Sequence, residues 1–209
     1  MNGANLKDLG LLLPELILVG SALALILAAR RIQKAPLAAA GTVLAALAAA
    51  LACVSNLSGA DEAGFGGMIT VDGYSQFFKI LIACALALTA LLSERRMDAE
   101  HVRPAEYHAL LLLASTGMML ADSALDLLTL YQALEVMTLC SYILVGITVD
   151  KPASNEAGIK YFLIASFAST FLLIGISLTY GLTGATDFTA IAAAVAERGL
   201  GENPLLTVA

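Results

Sequence analysis

Apolar residues occupy this chain in six long runs, at about 10–29, 36–55, 74–93, 106–121, 126–148 and 155–181, parted by short polar segments. Within each run the apolar positions go all the way round a helical wheel, whereas a soluble helix keeps one wet face. The lengths lie near the ~20 residues that carry a helix across about 30 Å of hydrocarbon. The dyad alternation of a membrane barrel is missing, and lipid cannot satisfy an open sheet edge, so helices are predicted. The fold class is therefore all-α, a polytopic transmembrane helix bundle of about six spans.

Punctuation between the runs supports this division. The segment ADSALD separates the fourth run from the fifth, and Ser123 and Asp126 there are candidate caps for the next helix. The first run has the apolar core of a secretory signal, but Arg30-Arg31-Ile32-Gln33-Lys34 follows at once as a stop-transfer flank, so it reads as a retained span. Residues 187–198, DFTAIAAAVAER, predict a short amphipathic helix at the membrane surface. Asn203-Pro204 before an apolar run has the pattern of a helix start. The expectation is a seventh span, with the chain as the N-terminal part of a longer protein.

Composition agrees. Of 209 residues 59% are hydrophobic and 13% charged, with a mean hydropathy of +0.86. That charged share is roughly half the ~25% of an ordinary soluble domain. The cations sit in alternate connections: Arg30, Arg31 and Lys34; then Arg95, Arg96 and Arg103; then Lys151. The opposite loops, 56–73 and 122–126, hold neither Lys nor Arg, and the flanking segments hold only Lys7 and Arg198. By the positive-inside rule the N-terminus faces the non-cytoplasmic side. The net charge of −6 comes from loop acids and says little about partners. A bilayer is implied and nucleic acid is not.

Little soluble-enzyme chemistry is encoded. There is no phosphate loop, nucleotide fingerprint or Ser/His/Asp arrangement. Cys53, Cys84 and Cys140 each fall within a span and match no metal or disulfide spacing, which suits small packing residues. His101 and His108 read as isolated at the cytoplasmic edge of the fourth span.

The ionisable residues inside the spans carry the interest. Glu15 reads as a headgroup-zone or helix-start acid, and Lys79 as a lysine whose stem reaches the outer interface. Glu135 differs. It is the one charge of LLTLYQALEVMTLCSYILVGI, residues 127–147, and sits roughly 12 Å and 18 Å from the two ends at 1.5 Å per residue. An acid there costs on the order of 2.5–3.5 kcal/mol on insertion scales. It is either a protonated, hydrogen-bonded structural group or a carboxyl facing a wet path that takes up and releases a proton. Lys160, near the start of the sixth span, is the candidate cation, although an i,i+4 pair with Glu156 is the plainer reading. Rise along the helices leaves about 10 Å between Lys160 and Glu135 for water or a polar side chain to bridge. Tyr131, Gln132, Thr138 and Ser141 flank the glutamate, and Ser166, Ser169 and Thr170 lie deeper in the sixth span.

These same residues carry a family resemblance. STGMMLADSALDLLTLYQALEVMTLCSYILVG followed by EAGIKYFLIASFASTFLLIGISLTYGLTG resembles the antiporter-like membrane subunits of bacterial NADH-quinone oxidoreductase, respiratory complex I. The wording favours the subunit N family over L and M. The likeness runs over about residues 70–186 and includes VDGYSQFFKIL and EYHALLLL.

The resemblance implies about fourteen spans built on inverted repeats, with ion sites near the midplane. Residues 1–105 would then hold helices 1–3, and 106–209 helices 4–6 with the start of helix 7, the first part of a proton-translocating repeat. It implies proton translocation coupled to electron transfer from NADH to quinone, in the cell inner (plasma) membrane. Glu135 matches the family's fifth-helix glutamate and Lys160 a sixth-helix lysine; the broken-helix lysine is expected past Ala209. No cofactor is expected in this chain, whereas NADH, FMN, iron–sulfur clusters and quinone are expected in partner subunits, both membrane and peripheral. A subunit of a multi-subunit cation/proton antiporter or of a membrane-bound hydrogenase is the alternative.

Overall fold

The computed structural model describes residues 4–30, 34–57, 62–100 and 102–198, with side chains described from residue 8 onward except at 95, 96 and 98–100. Eight helices are found among them: α1 Ala4–Leu11, α2 Leu13–Leu27, α3 Ala35–Asn56, α4 Gly73–Glu100, α5 Pro104–Asp122, α6 Leu127–Val145, α7 Pro152–Thr183 and α8 Phe188–Arg198. The six apolar runs fall on α2 to α7, and the expected amphipathic helix is α8. The expected start of a seventh span at Asn203-Pro204 lies outside the described residues.

Local chemistry sets the boundaries. Pro36, Pro104 and Pro152 each sit in the first turn of a helix, where the missing N–H removes no bond. Asp126 caps α6, its carboxylate accepting from the backbone amides of Leu128 at 2.9 Å and Thr129 at 3.2 Å. Ser123, the other expected cap, instead donates to the Met119 carbonyl at 2.9 Å. Gly184 closes α7 in the left-handed conformation at φ 76°, where a Cβ is unfavourable.

The result is a helical membrane bundle. Among the described residues four helices are long and apolar enough to cross a membrane: α3, α4 over Gly73–Glu94, α6 and α7. α2 has 15 residues and α5 carries Glu106, His108 and Asp122. The polarity of α5 has a physical reason. It packs against α2, α3, α4 and α6, so protein rather than lipid surrounds much of it. Its hydroxyls return to its own backbone, as in Thr116 to the Leu112 carbonyl at 2.9 Å.

Small residues bring the helices together. Leu18, Ala22 and Leu25 of α2, Ala45, Ala46 and Ala49 of α3, Ala83 and Leu86 of α4, and Ala109, Leu112 and Met119 of α5 form one buried cluster. A Cβ on Gly117 of α5 would lie 2.7 Å from the Met137 amide nitrogen of α6. At the opposite end of α6, Gly146 and Gly158 bring that helix and α7 into backbone contact.

One loop departs from the sequence reading. Residues 56–73, expected to be an irregular connection, hold an antiparallel hairpin of β1 Glu62–Gly64 and β2 Ile69–Val71. Phe65, Gly66 and Gly67 turn it with φ of 52°, 72° and 93°, and the two glycines make that turn accessible. The strands are three residues each, too short for alternation to show. Backbone bonds tie the hairpin to the α5–α6 connection, Thr70 donating to Ser123 at 2.8 Å and Leu125 to Met68 at 2.9 Å, and tie that connection to the one between α7 and α8, Leu127 donating to Thr186 at 2.9 Å and Phe188 to Leu125 at 3.1 Å. We call this the hairpin end of the bundle.

Candidate functional site

α6 and α7 run antiparallel, joined by residues 146–151. The connection is held by Ser154 donating to the Val145 carbonyl at 2.9 Å and the Asn155 amide donating to the Val149 carbonyl at 2.8 Å. This fixes the register in which Glu135 of α6 meets α7. The partner it meets is Ser169, whose hydroxyl donates to Glu135 Oε1. Tyr131 Oη, one turn before Glu135, lies 3.4 Å from Ser169 Oγ. A half-buried carboxyl, a serine and a phenol thus form one network between two spans. Each is a group that both accepts and, when protonated, donates, so the chain of hydrogen bonds is suited to proton exchange.

The other polar neighbours foreseen in the sequence do not join it. Thr138 donates to the Glu135 backbone carbonyl at 3.2 Å, Ser141 to Met137 at 2.8 Å and Thr170 to Ser166 at 2.9 Å. These are intrahelical back-bonds. Gln132 is exposed. Ser169 was one of three candidates on the sixth span, and spacing alone did not single it out, because the tilt of α7 against α6 decides which serine arrives at the carboxyl.

Lys160 is not brought to Glu135. Its ammonium pairs with Glu156 one turn earlier, both side chains well exposed at 68% and 65%. Nine residues separate Lys160 from Ser169 on α7, roughly 14 Å of helix rise. The two predicted residues therefore lie on one helix pair but at different depths.

Glu15 stands in the first turn of α2, as expected of a helix-start acid, but its side chain is buried rather than in a headgroup zone. The expectation for Lys79 is corrected: it does not reach the interface. They bind each other inside the bundle, Lys79 Nζ lying 2.7 Å from Glu15 Oε1, with side chains 0% and 4% exposed. The reason is depth: Glu15 begins α2 and Lys79 lies six residues into α4, and both helices start at the hairpin end. The carboxylate at its own level gives the buried ammonium its counter-charge. Opposite charges at like depth on two spans were the signal in the sequence.

His108 lies near the start of α5, as expected, but its side chain is fully buried among the helices, edge-on to Tyr107 with ring centroids 5.4 Å apart; His101 lies outside the described residues. Cys53 and Cys140 are buried, whereas Cys84 is exposed, and none is in a disulfide. Among the described residues no group of three or more His, Cys, Asp or Glu is placed to hold a metal ion.

Comparison with known proteins places this geometry. Residues 124–208, which include α6 and α7, match a family model described as NADH:quinone oxidoreductase/Mrp antiporter, transmembrane. NADH-quinone oxidoreductase subunit N of Desulfovibrio desulfuricans is 43% identical over 192 residues, covering 90% of this chain and 37% of that protein. Subunit N 1 of Koribacter versatilis is 38% identical over 209 residues, covering 95% of this chain and 41% of the relative. The chain thus spans about two fifths of the length of the relatives it matches. In solved structures it superposes on a chain of respiratory complex I from Thermus thermophilus with bound aureothin, with a TM-score of 0.70 and 28% identity over 93% of this chain and 42% of the other. A chain of an archaeal membrane-bound sulfane sulfur reductase shares the fold, with a TM-score of 0.80 at 19% identity over 96% of this chain and 42% of that one.

Proposed function

We propose that this chain, which belongs to the NADH:quinone oxidoreductase/Mrp antiporter transmembrane family, acts as a proton-translocating membrane subunit of an NADH-quinone oxidoreductase in the bacterial inner membrane, with its N-terminus on the non-cytoplasmic side. The observation that carries the reading is the Glu135 carboxyl accepting from Ser169 between two membrane-spanning helices, with Tyr131 alongside. A carboxyl held there is costly unless its proton is put to use. A cation that approaches and withdraws with turnover would drive a proton off the carboxyl and let one return.

In this reading Glu135 accepts the proton, and Ser169 with Tyr131 orients the carboxyl and extends the hydrogen-bonded path. Lys160 serves as a relay, or alters the charge of Glu135, from the far end of α7. Redox cofactors belong to partner subunits, and this chain converts their conformational signal into charge movement.

Glu135→Gln in the assembled complex is the test. We expect normal assembly with proton pumping into membrane vesicles reduced at least tenfold, and native pumping by that variant refutes the assignment. A second reading, a subunit of a cation/proton antiporter or membrane-bound hydrogenase, draws support from the breadth of the family description and from the fold shared with an archaeal respiratory complex. Flavin and iron–sulfur clusters that oxidise NADH in the purified assembly favour the first reading. Antiporter subunits alone favour the second.

A further inference from the structure

Glu15 and Lys79 lie on different helices from Glu135, and nothing in the translocation reading above uses them. Their setting is unusual for a structural tie. Beyond the 2.7 Å ion contact, the carboxylate oxygens of Glu15 and Nζ of Lys79 have no hydrogen-bond partner among the described residues. Gln76 stands three residues before Lys79, on the same face of α4. It is fully buried, and among the described residues neither its amide nitrogen nor its amide oxygen has a partner. Buried groups with this much unmet hydrogen-bonding capacity are met by internal water.

The surroundings are acidic. Asp122 at the end of α5 lies within electrostatic reach of Lys79, Glu15 and Asp72, and Cys53 of α3 within reach of Lys79 and Glu15. Lys79 is the cation these groups share. Asp122 is half-buried at the end of α5, with Oδ2 buried and without a hydrogen-bond partner among the described residues. Its carboxyl is partly exposed, whereas Glu15 and Lys79 are buried. His108 belongs to the opposite end of α5, fourteen residues away, roughly 21 Å along the helix.

We propose that Glu15, Lys79 and Gln76 form a second, hydrated proton-exchange site at the hairpin end of the bundle, separate from Glu135 and opening to the surface past Asp122. The exchange balances as follows. An N–H bond of the Lys79 ammonium breaks as an O–H bond forms on Glu15, and the electron pair stays on the nitrogen, leaving an amine beside a carboxylic acid. A proton from water on one side then restores the ammonium, while Glu15 releases its proton to water on the other side. One proton crosses the pair and both groups return to their starting form. Gln76 positions that water and does not itself transfer a proton.

The inference rests on the proton-translocation reading, and its test separates the two. The rival explanation is that the pair merely ties α2 to α4, which share little other contact. Lys79→Arg distinguishes them, because arginine keeps the ion pair but does not release its proton. In the assembled complex in membrane vesicles we expect Lys79→Arg to assemble normally and to pump at least threefold more slowly. The paired variant Glu15→Leu/Lys79→Leu removes both charges together, a change that a purely structural pair tolerates, and we expect the same loss of pumping with native thermal stability. During turnover, an infrared carboxylic C=O band should vanish in Glu15→Gln and persist in Glu135→Gln. Native pumping by Lys79→Arg, alongside a defective Glu135→Gln, overturns this site alone. Native pumping by Glu135→Gln overturns the parent reading.

Discussion

The contact between α5 and α6 gives a prediction whose size follows from the geometry. Gly117 has no side chain, and a Cβ there would stand 2.7 Å from the Met137 amide nitrogen and 2.8 Å from the Ala133 carbonyl oxygen. Ordinary contact begins near 3.4 Å, so Gly117→Ala asks α6 to withdraw by 3.4 − 2.7 = 0.7 Å at its closest point. Both obstructing atoms are backbone, and no rotamer change relieves them. Overpacking of this kind costs about 1–3 kcal/mol, offset by about 0.5–1 kcal/mol because alanine is the better helix residue. The net is a destabilisation of roughly 1–2 kcal/mol. Gly20 on α2 is the matched control: it is exposed, and nothing lies within 4 Å of its Cβ position. Gly20→Ala should be neutral or stabilising by up to about 1 kcal/mol. Unfolding of the two variants in the same detergent, titrated with a denaturing surfactant, measures the difference. Because Ala133 and Met137 bracket Glu135, Gly117→Ala should also slow pumping, whereas Gly20→Ala should not. Equal shifts of stability in the same direction would refute the account of this contact.

Other outcomes follow from the site and its supports. Ser169→Ala should cut pumping severalfold with assembly unchanged, and Ser169→Thr, which keeps the hydroxyl, should retain most of it; vesicle acidification reports both. Lys160→Ala should lose less pumping than Glu135→Gln, since its ammonium is paired with Glu156 and lies about 14 Å of helix rise from Ser169. Asp126 caps α6 and also accepts from the Thr186 hydroxyl, so Asp126→Ala should lower stability by about 1–2 kcal/mol in thermal unfolding. Asp187, outside the spans, has its carboxyl held below the usual aspartate range by the Thr189 hydroxyl and the Ala190 amide. A depressed folded value means the support it gives α8 is present above the ordinary value of 3.8 and is lost as the pH falls through the folded one. Hydrogen exchange at the Ala190 amide should accelerate on that descent, and Asp187→Asn should abolish the pH dependence.

Much of the architecture was legible because the membrane is a severe filter on sequence. All-round apolarity located α2 to α7, and Asp126 placed the start of α6. The hairpin was not legible, since three-residue strands carry no pattern and their bonds go to Ser123 and Leu125 far along the chain. Glu135 stood out for a local reason, its distance from both ends of one run. Ser169 depended on how two helices lie together, which no single run encodes. Glu15 and Lys79 were misjudged for the same reason in reverse. Each was assessed against lipid and water, the two solvents visible from one helix, when the third possibility was the other residue.

Among the described residues, the helix that supplies Ser169 is propped mainly along one flank. α7 leans on α6, while Ile164, Phe167, Phe171 and Ile174 look outward from it. A beam borne on one edge takes its position from whatever presses on the other. The grip of the serine on the carboxylate thus depends on what packs against that flank, and turnover should change with substitutions at Phe167 and Phe171 even when every residue of the site is intact.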